Sequence, residues 1–191
     1  VGWWPLQIIT LALLFQLILQ TPSIKSAVLT GWAYGFGWSA CGVYWLYISM
    51  HQYGGMPAAM AALAVALLAM LLGAFFAAAT GVGAWFQRRL HASNIILLLL
   101  VFPALWMLSE WLRGWVLTGL PWVVSGYAHT GSPLAGYAPL IGVYGLGWLA
   151  AVLAACLVLL PTKKSAIGLI IVILASGLGL KSVNWTTPQG E

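Results

Sequence analysis

Charged residues are nearly absent from this chain, and those present stand at the ends of long apolar runs. The 191 residues include seven lysines and arginines against two glutamates, 63% of them are hydrophobic, and the mean hydropathy is +1.01. A globule of this size could not cover its surface with so few polar groups. The chain is therefore predicted to be an integral membrane protein.

The length of the apolar runs predicts helices rather than barrel strands. A membrane helix needs about 20 mainly apolar residues, whereas a barrel strand is a segment of about 10 residues with alternating polarity. Charges and turn residues divide the chain into six candidate spans, near 5–20, 27–50, 57–87, 94–112, 136–160 and 165–182. The predicted fold is all-α, a polytopic transmembrane helical bundle over residues 1–183, with 184–191 as the start of a linker.

The basic residues predict an orientation, because cytoplasmic loops carry an excess of Lys and Arg. Six spans place five basic residues on the inside, namely Lys25, Arg88, Arg89, Lys163 and Lys164. Only Arg113 and Lys181 then lie outside, and both ends of the segment face outward. A seventh span over 114–135 would weaken this bias, so that stretch is predicted to be a loop or shallow re-entrant element on the outer face. Basic residues dispersed in this way do not indicate a nucleic-acid partner.

The stretch EWLRGWVLTGLPW, from Glu110 to Trp122, holds the only acidic residue apart from the terminal Glu191. A carboxylate at a membrane boundary is costly unless it is paired or hydrated. Glu110 and Arg113 are three residues apart and share one helical face. They are predicted to form a structural ion pair that fixes the helix end, with contact to a lipid headgroup as the alternative.

Aromatic residues concentrate around this stretch. They are Trp106, Trp111, Trp115, Trp122 and Tyr127, joined by Tyr44, Trp45, Tyr47 and Tyr53 at the end of the second span. One interpretation is an aromatic belt, since Trp and Tyr are enriched at both membrane interfaces. The other is that these aromatic rings line the entrance of a site, which lipid tails or an acylated substrate enter from the bilayer. Both interpretations stay open at this point.

No nucleophile in the sequence has an evident base beside it. Cys41 and Cys156 lie inside apolar runs and are predicted to be small core residues. His51 and His129 are predicted to be polar interfacial groups on the outer face. Neither a metal nor another cofactor is expected, because no His, Cys, Asp or Glu set has ligand spacing.

Glycines are spaced for close helix contacts. Gly31 and Gly35 form a small-xxx-small pair, and Gly37 and Gly42 continue it along the second span. Three more glycines, Gly142, Gly145 and Gly147, leave the start of the fifth span without bulky side chains at these positions. Their predicted role is packing.

Several spaced motifs resemble the amino-terminal membrane region of bacterial apolipoprotein N-acyltransferases. The first runs from Gly31 to Gly37 (GWAYGFG) and continues to VYWLYIS and YGGMP. The second comprises PALW, EWLRGW, TGLPW and GY, between Pro103 and Tyr127. The WPL opening and the NWTTP ending also fit, so the resemblance covers nearly the whole chain.

The resemblance implies that the complete protein transfers a fatty acyl group from a phospholipid donor to the amino-terminal diacylglyceryl-cysteine of an apolipoprotein acceptor. This would occur at the periplasmic side of the bacterial inner membrane. In the family, a nitrilase-like domain with Glu, Lys and Cys catalyses the reaction through a thioester acyl-enzyme. That domain, with the first and last family helices, is expected to lie outside this segment, so the segment alone is expected to be inactive and carries no catalytic residue.

The same resemblance assigns candidate roles within the outer loop. Gly119 and Trp122 match the family's motif in the loop beneath the periplasmic domain, and Tyr127 follows them. Their implied role is substrate binding or docking of the nitrilase-like domain, with loop shaping as the alternative.

Two other functions remain for the chain as a whole. A small transporter would need polar residues along a path, which the spans lack, and a structural subunit would act through helix contacts alone.

Overall fold

A computed structural model describes residues 2–185, and the predicted linker falls mostly outside that range. The helices are α1 (Trp4–Gln20), α2 (Ile24–Gly42), α3 (Tyr44–Ile48), α4 (Ala58–Arg89), α5 (Asn94–Ile96), α6 (Phe102–Arg113), α7 (Ala138–Leu159) and α8 (Ser165–Lys181). Single π-helical turns cover Ser49–Tyr53 and Leu97–Val101. Residues 2–185 contain no strand, and the predicted all-α bundle is confirmed.

Three helical stretches are long and apolar enough to cross a membrane: Ala58–Arg89, Asn94–Arg113 and Pro133–Leu159. Two shorter apolar helices, α1 and α8, have 17 residues each. At 32 residues, α4 would be about 48 Å long, which exceeds the hydrocarbon thickness of about 30 Å. A helix of this length is expected to tilt or to extend past the hydrocarbon layer.

The helices α2 and α4 pack closely because small residues line their contact. A Cβ added to Gly31 would lie 2.0 Å from Oγ1 of Thr80, and one added to Gly35 would lie 2.4 Å from the Phe76 ring. The Thr80 hydroxyl donates to the carbonyl of Ala27 at 3.0 Å. Of the other glycines predicted to pack here, Gly37 has no atom within 4 Å of its added Cβ.

The core of the bundle is formed around α7. Every residue from Leu149 to Cys156 is buried, as expected for a helix that is apolar on all sides. From α1, Leu11, Leu14 and Ile18 are buried in the same cluster. The rings of Phe15 and Phe102 stack within this cluster at 5.1 Å between centroids.

Three predicted spans contain irregular backbone, and in the fifth it lies at Gly142 of α7, where φ is 63° and ψ is −174°. The second is divided at Val43, where φ is −101° and ψ is 9°, before the chain enters α3. In the fourth, Pro103 follows the π-helical turn Leu97–Val101. A proline has no N–H and its ring crowds the carbonyl four residues earlier, here Leu99. The wider π turn gives that carbonyl room, so the helix continues to Arg113.

Three interhelical turns meet at one end of the bundle, which we call the basic end. Arg88 donates to the carbonyl of Thr21, which connects the end of α4 to the α1–α2 turn. A shared groove brings Leu99 beside Lys163 of the α7–α8 turn. The basic end therefore carries the five residues predicted to lie inside, Lys25, Arg88, Arg89, Lys163 and Lys164. The opposite end, which we call the loop end, carries the connection between α6 and α7.

The cysteine predictions have different outcomes. Cys156 is buried in the core, as predicted, whereas Cys41 is exposed on α2. The core prediction for Cys41 is wrong because apolar character does not separate core from lipid-facing positions in a membrane protein.

Candidate functional site

The connection between α6 and α7 is built from four 3₁₀ turns: Val116–Thr118, Pro121–Val123, Ser125–His129 and Pro133–Tyr137. We call residues 114–137 the 3₁₀ loop. Its buried backbone would be costly in a membrane without hydrogen-bond partners. Polar side chains from α6 and α2 supply several of these partners.

Glu110 is the first of these anchors. Its side chain is fully buried, and its Oε1 accepts the backbone N–H of Ser125 at 2.7 Å. Its Oε2 accepts the Ser125 hydroxyl at 2.9 Å. The indole N–H of Trp106 donates in turn to Oγ of Ser125 at 3.1 Å. A carboxylate that accepts two hydrogen bonds is well suited to hold a loop residue in place.

Arg113 is the second anchor. Its Nη2 lies 3.8 Å from Oε1 of Glu110 and donates to the carbonyl of Val123 at 2.8 Å. The same carbonyl accepts the indole N–H of Trp38, from α2, at 3.3 Å. The guanidinium also lies over the Phe76 ring, 5.7 Å from its centroid. Because Glu110 and Arg113 are 0% and 1% exposed, they face the protein interior rather than lipid headgroups.

The turn before Trp122 depends on backbone that glycine adopts readily. Gly119 has φ 83° and ψ 147°, a region in which a side chain is strained. A Cβ there would lie 2.0 Å from the carbonyl oxygen of Gly114. The preceding Thr118 also has a positive φ, of 73°, which is rare for a β-branched residue. The N–H of Leu120 donates to the carbonyl of Arg113 at 2.9 Å, which closes the turn onto α6.

Two glycines let α7 approach the anchored part of the loop. A Cβ on Gly147 would lie 2.7 Å from Oγ of Ser125 and 2.9 Å from Oε2 of Glu110. A Cβ on Gly126 would lie 2.0 Å from the carbonyl oxygen of Val143. Gly147 therefore has the predicted packing role, but it packs against the hydrogen-bonded side chains of Ser125 and Glu110 rather than against an apolar helix face.

His129 anchors the far side of the loop to α1. Its Nε2 lies 2.9 Å from Oε1 of Gln7, and its Nδ1 lies 3.3 Å from Oγ of Ser132. The ring is fully buried, and burial lowers the pKa of His129 to about 4. His129, which the sequence predicts to lie on the outer face, is therefore buried with Gln7 as its partner rather than exposed at the protein surface. His51, the other histidine predicted there, is half-buried, and its Nδ1 lies 2.8 Å from the carbonyl oxygen of Met56.

The surface of the loop is aromatic although its interior is polar. Trp122 is 63% exposed and Tyr127 is 53% exposed, whereas their neighbours Val123 and Gly126 are buried. Trp115 is also exposed and lies 6.0 Å, between ring centroids, from Trp111. The fixed loop therefore presents large flat rings outward, where they can contact an acyl chain or another protein surface.

The structure brings together some of the predicted site residues and adds others. Glu110, Arg113, Gly119 and Trp122 lie in or beside one connected loop. Sequence analysis missed Ser125, the carbonyl of Val123, and Gln7, because each becomes a partner only through non-local contacts. Within residues 2–185, no group of three His, Cys, Asp or Glu side chains is placed to hold a metal ion.

Comparisons with known proteins show the family to which this chain belongs. Residues 1–156 match the family model for the "Apolipoprotein N-acyltransferase N-terminal domain". The chain is 45% identical over 195 residues to the apolipoprotein N-acyltransferase of Ralstonia nicotianae, covering 99% of this chain and 36% of that protein. It is 41% identical over 196 residues to that of Azotobacter vinelandii, covering 98% and 37%. The chain spans about a third of the length of these relatives. It belongs to the apolipoprotein N-acyltransferase family and corresponds to that family's amino-terminal domain.

Proposed function

We propose that this chain is the membrane domain of an enzyme that transfers a fatty acyl group from a phospholipid to the amino-terminal diacylglyceryl-cysteine of an apolipoprotein. Identity of 45% to a curated apolipoprotein N-acyltransferase over 99% of the chain supports this function. The acyl transfer would pass through a thioester on a cysteine of a nitrilase-like domain elsewhere in the full-length protein. This segment alone would be inactive.

The loop end would face the periplasm of a bacterial inner membrane, and the basic end the cytoplasm. The five basic residues at the basic end support this orientation, because Lys and Arg are enriched on the cytoplasmic side. The 3₁₀ loop would then form the floor beneath the catalytic domain. Glu110 and Arg113 would hold the floor in place without touching substrate, since both are buried.

Trp122 and Tyr127 would bind substrate acyl chains or dock the catalytic domain. The single observation that carries this role is the contrast within the loop: buried hydrogen bonds fix its backbone, yet the Trp122 ring is 63% exposed. Trp122, Trp115 and Tyr127 are exposed together on this one loop, and a group of exposed apolar rings suits contact with lipid or a partner. Gly119 would contribute by setting the turn that aims this ring.

The test is acyl transfer by the intact protein, reconstituted with phospholipid and a diacylglyceryl peptide and followed by the mass of the product. Trp122→Ala is expected to lower the rate at least tenfold while leaving the thermal midpoint within about 2 °C, because exposed residues contribute little to stability. Trp85→Ala is the matched control, since Trp85 is 43% exposed on α4 near the basic end. Equal rates for both variants would contradict the proposal.

Two further measurements separate substrate binding from domain docking. A photocrosslinking amino acid at position 122 is expected to capture phospholipid if the ring binds acyl chains. Capture of a peptide from the catalytic domain would indicate docking instead. Capture of neither, with full activity in Trp122→Ala, would leave the 3₁₀ loop with a structural role only.

A further inference from the structure

The basic end of the bundle contains an apolar groove of about 320 Å³ that is remote from the 3₁₀ loop. It lies between the start of the fourth membrane segment, the end of α7 and the start of α8. Its floor is formed by the buried residues Cys156, Leu159 and Ala166, and its walls include Leu99 and Leu169. Lys163 lies at its mouth and is exposed.

The charge around this groove is uniformly positive. Lys163 and Lys164 occupy the α7–α8 turn, and Lys25, Arg88 and Arg89 belong to the same end of the bundle. The one carboxylate within residues 2–185, that of Glu110, is buried at the opposite end. The basic end therefore attracts anions, and Lys163 has no described acidic partner to neutralise it.

We propose that the groove binds an anionic phospholipid, with one acyl chain against its apolar floor and the phosphate at Nζ of Lys163. The ligand is expected to combine an apolar tail with a negative charge, because the lining side chains other than Ser165 and Lys163 are apolar and Lys163 is a cation. Basic pockets between membrane helices bind acidic lipid headgroups in this way. A zwitterionic lipid would fill the same groove with less electrostatic attraction, since its own cationic group offsets the phosphate.

Native mass spectrometry of the intact protein in detergent tests the charge requirement. Equal amounts of dioleoyl-phosphatidylglycerol and dioleoyl-phosphatidylcholine are added, and the bound species are compared. We expect phosphatidylglycerol adducts to predominate. Lys163→Gln should lower that preference about fivefold, the effect of one basic residue near an anionic lipid. Lys181→Gln, at the end of α8 nearer the loop, is the matched control and should leave it unchanged.

A second arm tests the position of the lipid. Phosphatidylglycerol with a photoactivatable acyl chain should crosslink within residues 156–169. Leu169→Trp should reduce this labelling because the larger side chain would fill part of the groove, and it should be tolerated because Leu169 is 37% exposed. Leu178→Trp, on the same helix at an exposed site outside the groove, should leave the labelling unchanged. Both variants must elute as monodisperse protein.

Several outcomes would overturn the proposal. Equal retention of the two lipids, or equal effects of Lys163→Gln and Lys181→Gln, would show that the groove has no charge selectivity. Labelling spread evenly over lipid-facing helices would show that it has no defined position. Displacement of phosphatidylglycerol by an equal amount of oleate would identify a fatty acid as the ligand. Crosslinks from the groove to another segment of the intact protein would identify a protein helix as its occupant.

Discussion

The carboxylate of Glu110 accepts both the backbone N–H and the hydroxyl of Ser125, fifteen residues further along the chain, at 2.7 and 2.9 Å. Both residues are fully buried. These two hydrogen bonds connect α6 to the middle of the 3₁₀ loop, and the groups that form them are shielded from solvent. The stability of the loop is therefore expected to depend strongly on this one side chain.

Replacing Glu110 by Gln should destabilise the protein markedly. The amide keeps the shape but removes the charge beside Arg113, and breaking one half of a buried pair costs about 3–5 kcal/mol. The thermal midpoint should fall by about 10 °C, at roughly 2–4 °C per kcal/mol. The double variant Glu110→Gln/Arg113→Gln should lose less than the sum of the two single variants. Strictly additive losses would show that the two side chains do not interact.

Gly119→Ala should disturb the loop without any change in polarity. The added Cβ would meet the carbonyl oxygen of Gly114 at 2.0 Å, at a φ of 83°. Strain of this kind costs about 1–3 kcal/mol. We expect a lower thermal midpoint and faster limited proteolysis of the loop. Gly131→Ala provides the control, because its Cβ would have no atom within 4 Å. Equal thermal midpoints and equal proteolysis rates for the two variants would show that a side chain at position 119 does not strain the turn.

Gly147→Ala should act on the same network from the side of α7. Its Cβ would come within 2.9 Å of Oε2 of Glu110 and closer still to Oγ of Ser125, so either α7 or these side chains must shift, and we expect the hydrogen bond between Oγ and Oε2 to lengthen or break. The expected loss is about 2 kcal/mol or more, since buried polar groups are left unpaired. Gly168→Ala, on α8 with open space around its Cβ, should be neutral or slightly stabilising. Thermal unfolding of both proteins tests this, and an unaffected Gly147→Ala would show that α7 can shift away at little cost.

Acid should weaken the contact between α1 and the loop through His129. The folded protein holds this ring neutral down to a pKa of about 4, whereas an unfolded histidine takes up a proton near 6.5. Because the unfolded state binds the proton first, stability should fall as the pH drops from about 6.5 to 4, by up to about 3 kcal/mol. Thermal midpoints of the native protein and His129→Gln should diverge at neutral pH and converge towards pH 4. A difference between the two thermal midpoints that stays constant from pH 6.5 to pH 4 would show that His129 does not cause the loss of stability in acid.

The fold class could be predicted from sequence because its signals are local. A run of about 20 apolar residues indicates a span wherever it occurs, and the positions of Lys and Arg mark the turns. The partners of the site residues could not be predicted in this way. Gln7 and His129 are 122 residues apart, and Ser125 lies in a 3₁₀ turn with no periodic pattern. Cys41 shows a further limit, since an apolar residue of a membrane helix can face either lipid or core.

The carbonyl of Val123 accepts hydrogen bonds from Arg113 on α6 and from Trp38 on α2. The peptide group between Val123 and Val124 thus links two helices that are far apart in sequence, and Trp122 is the residue immediately before Val123. Any sliding or tilting of α2 relative to α6 must stretch one of these bonds or carry the peptide with it. The direction in which the Trp122 ring points is therefore mechanically coupled to the packing of the bundle, so that a change in bilayer thickness would reach this ring through the protein backbone.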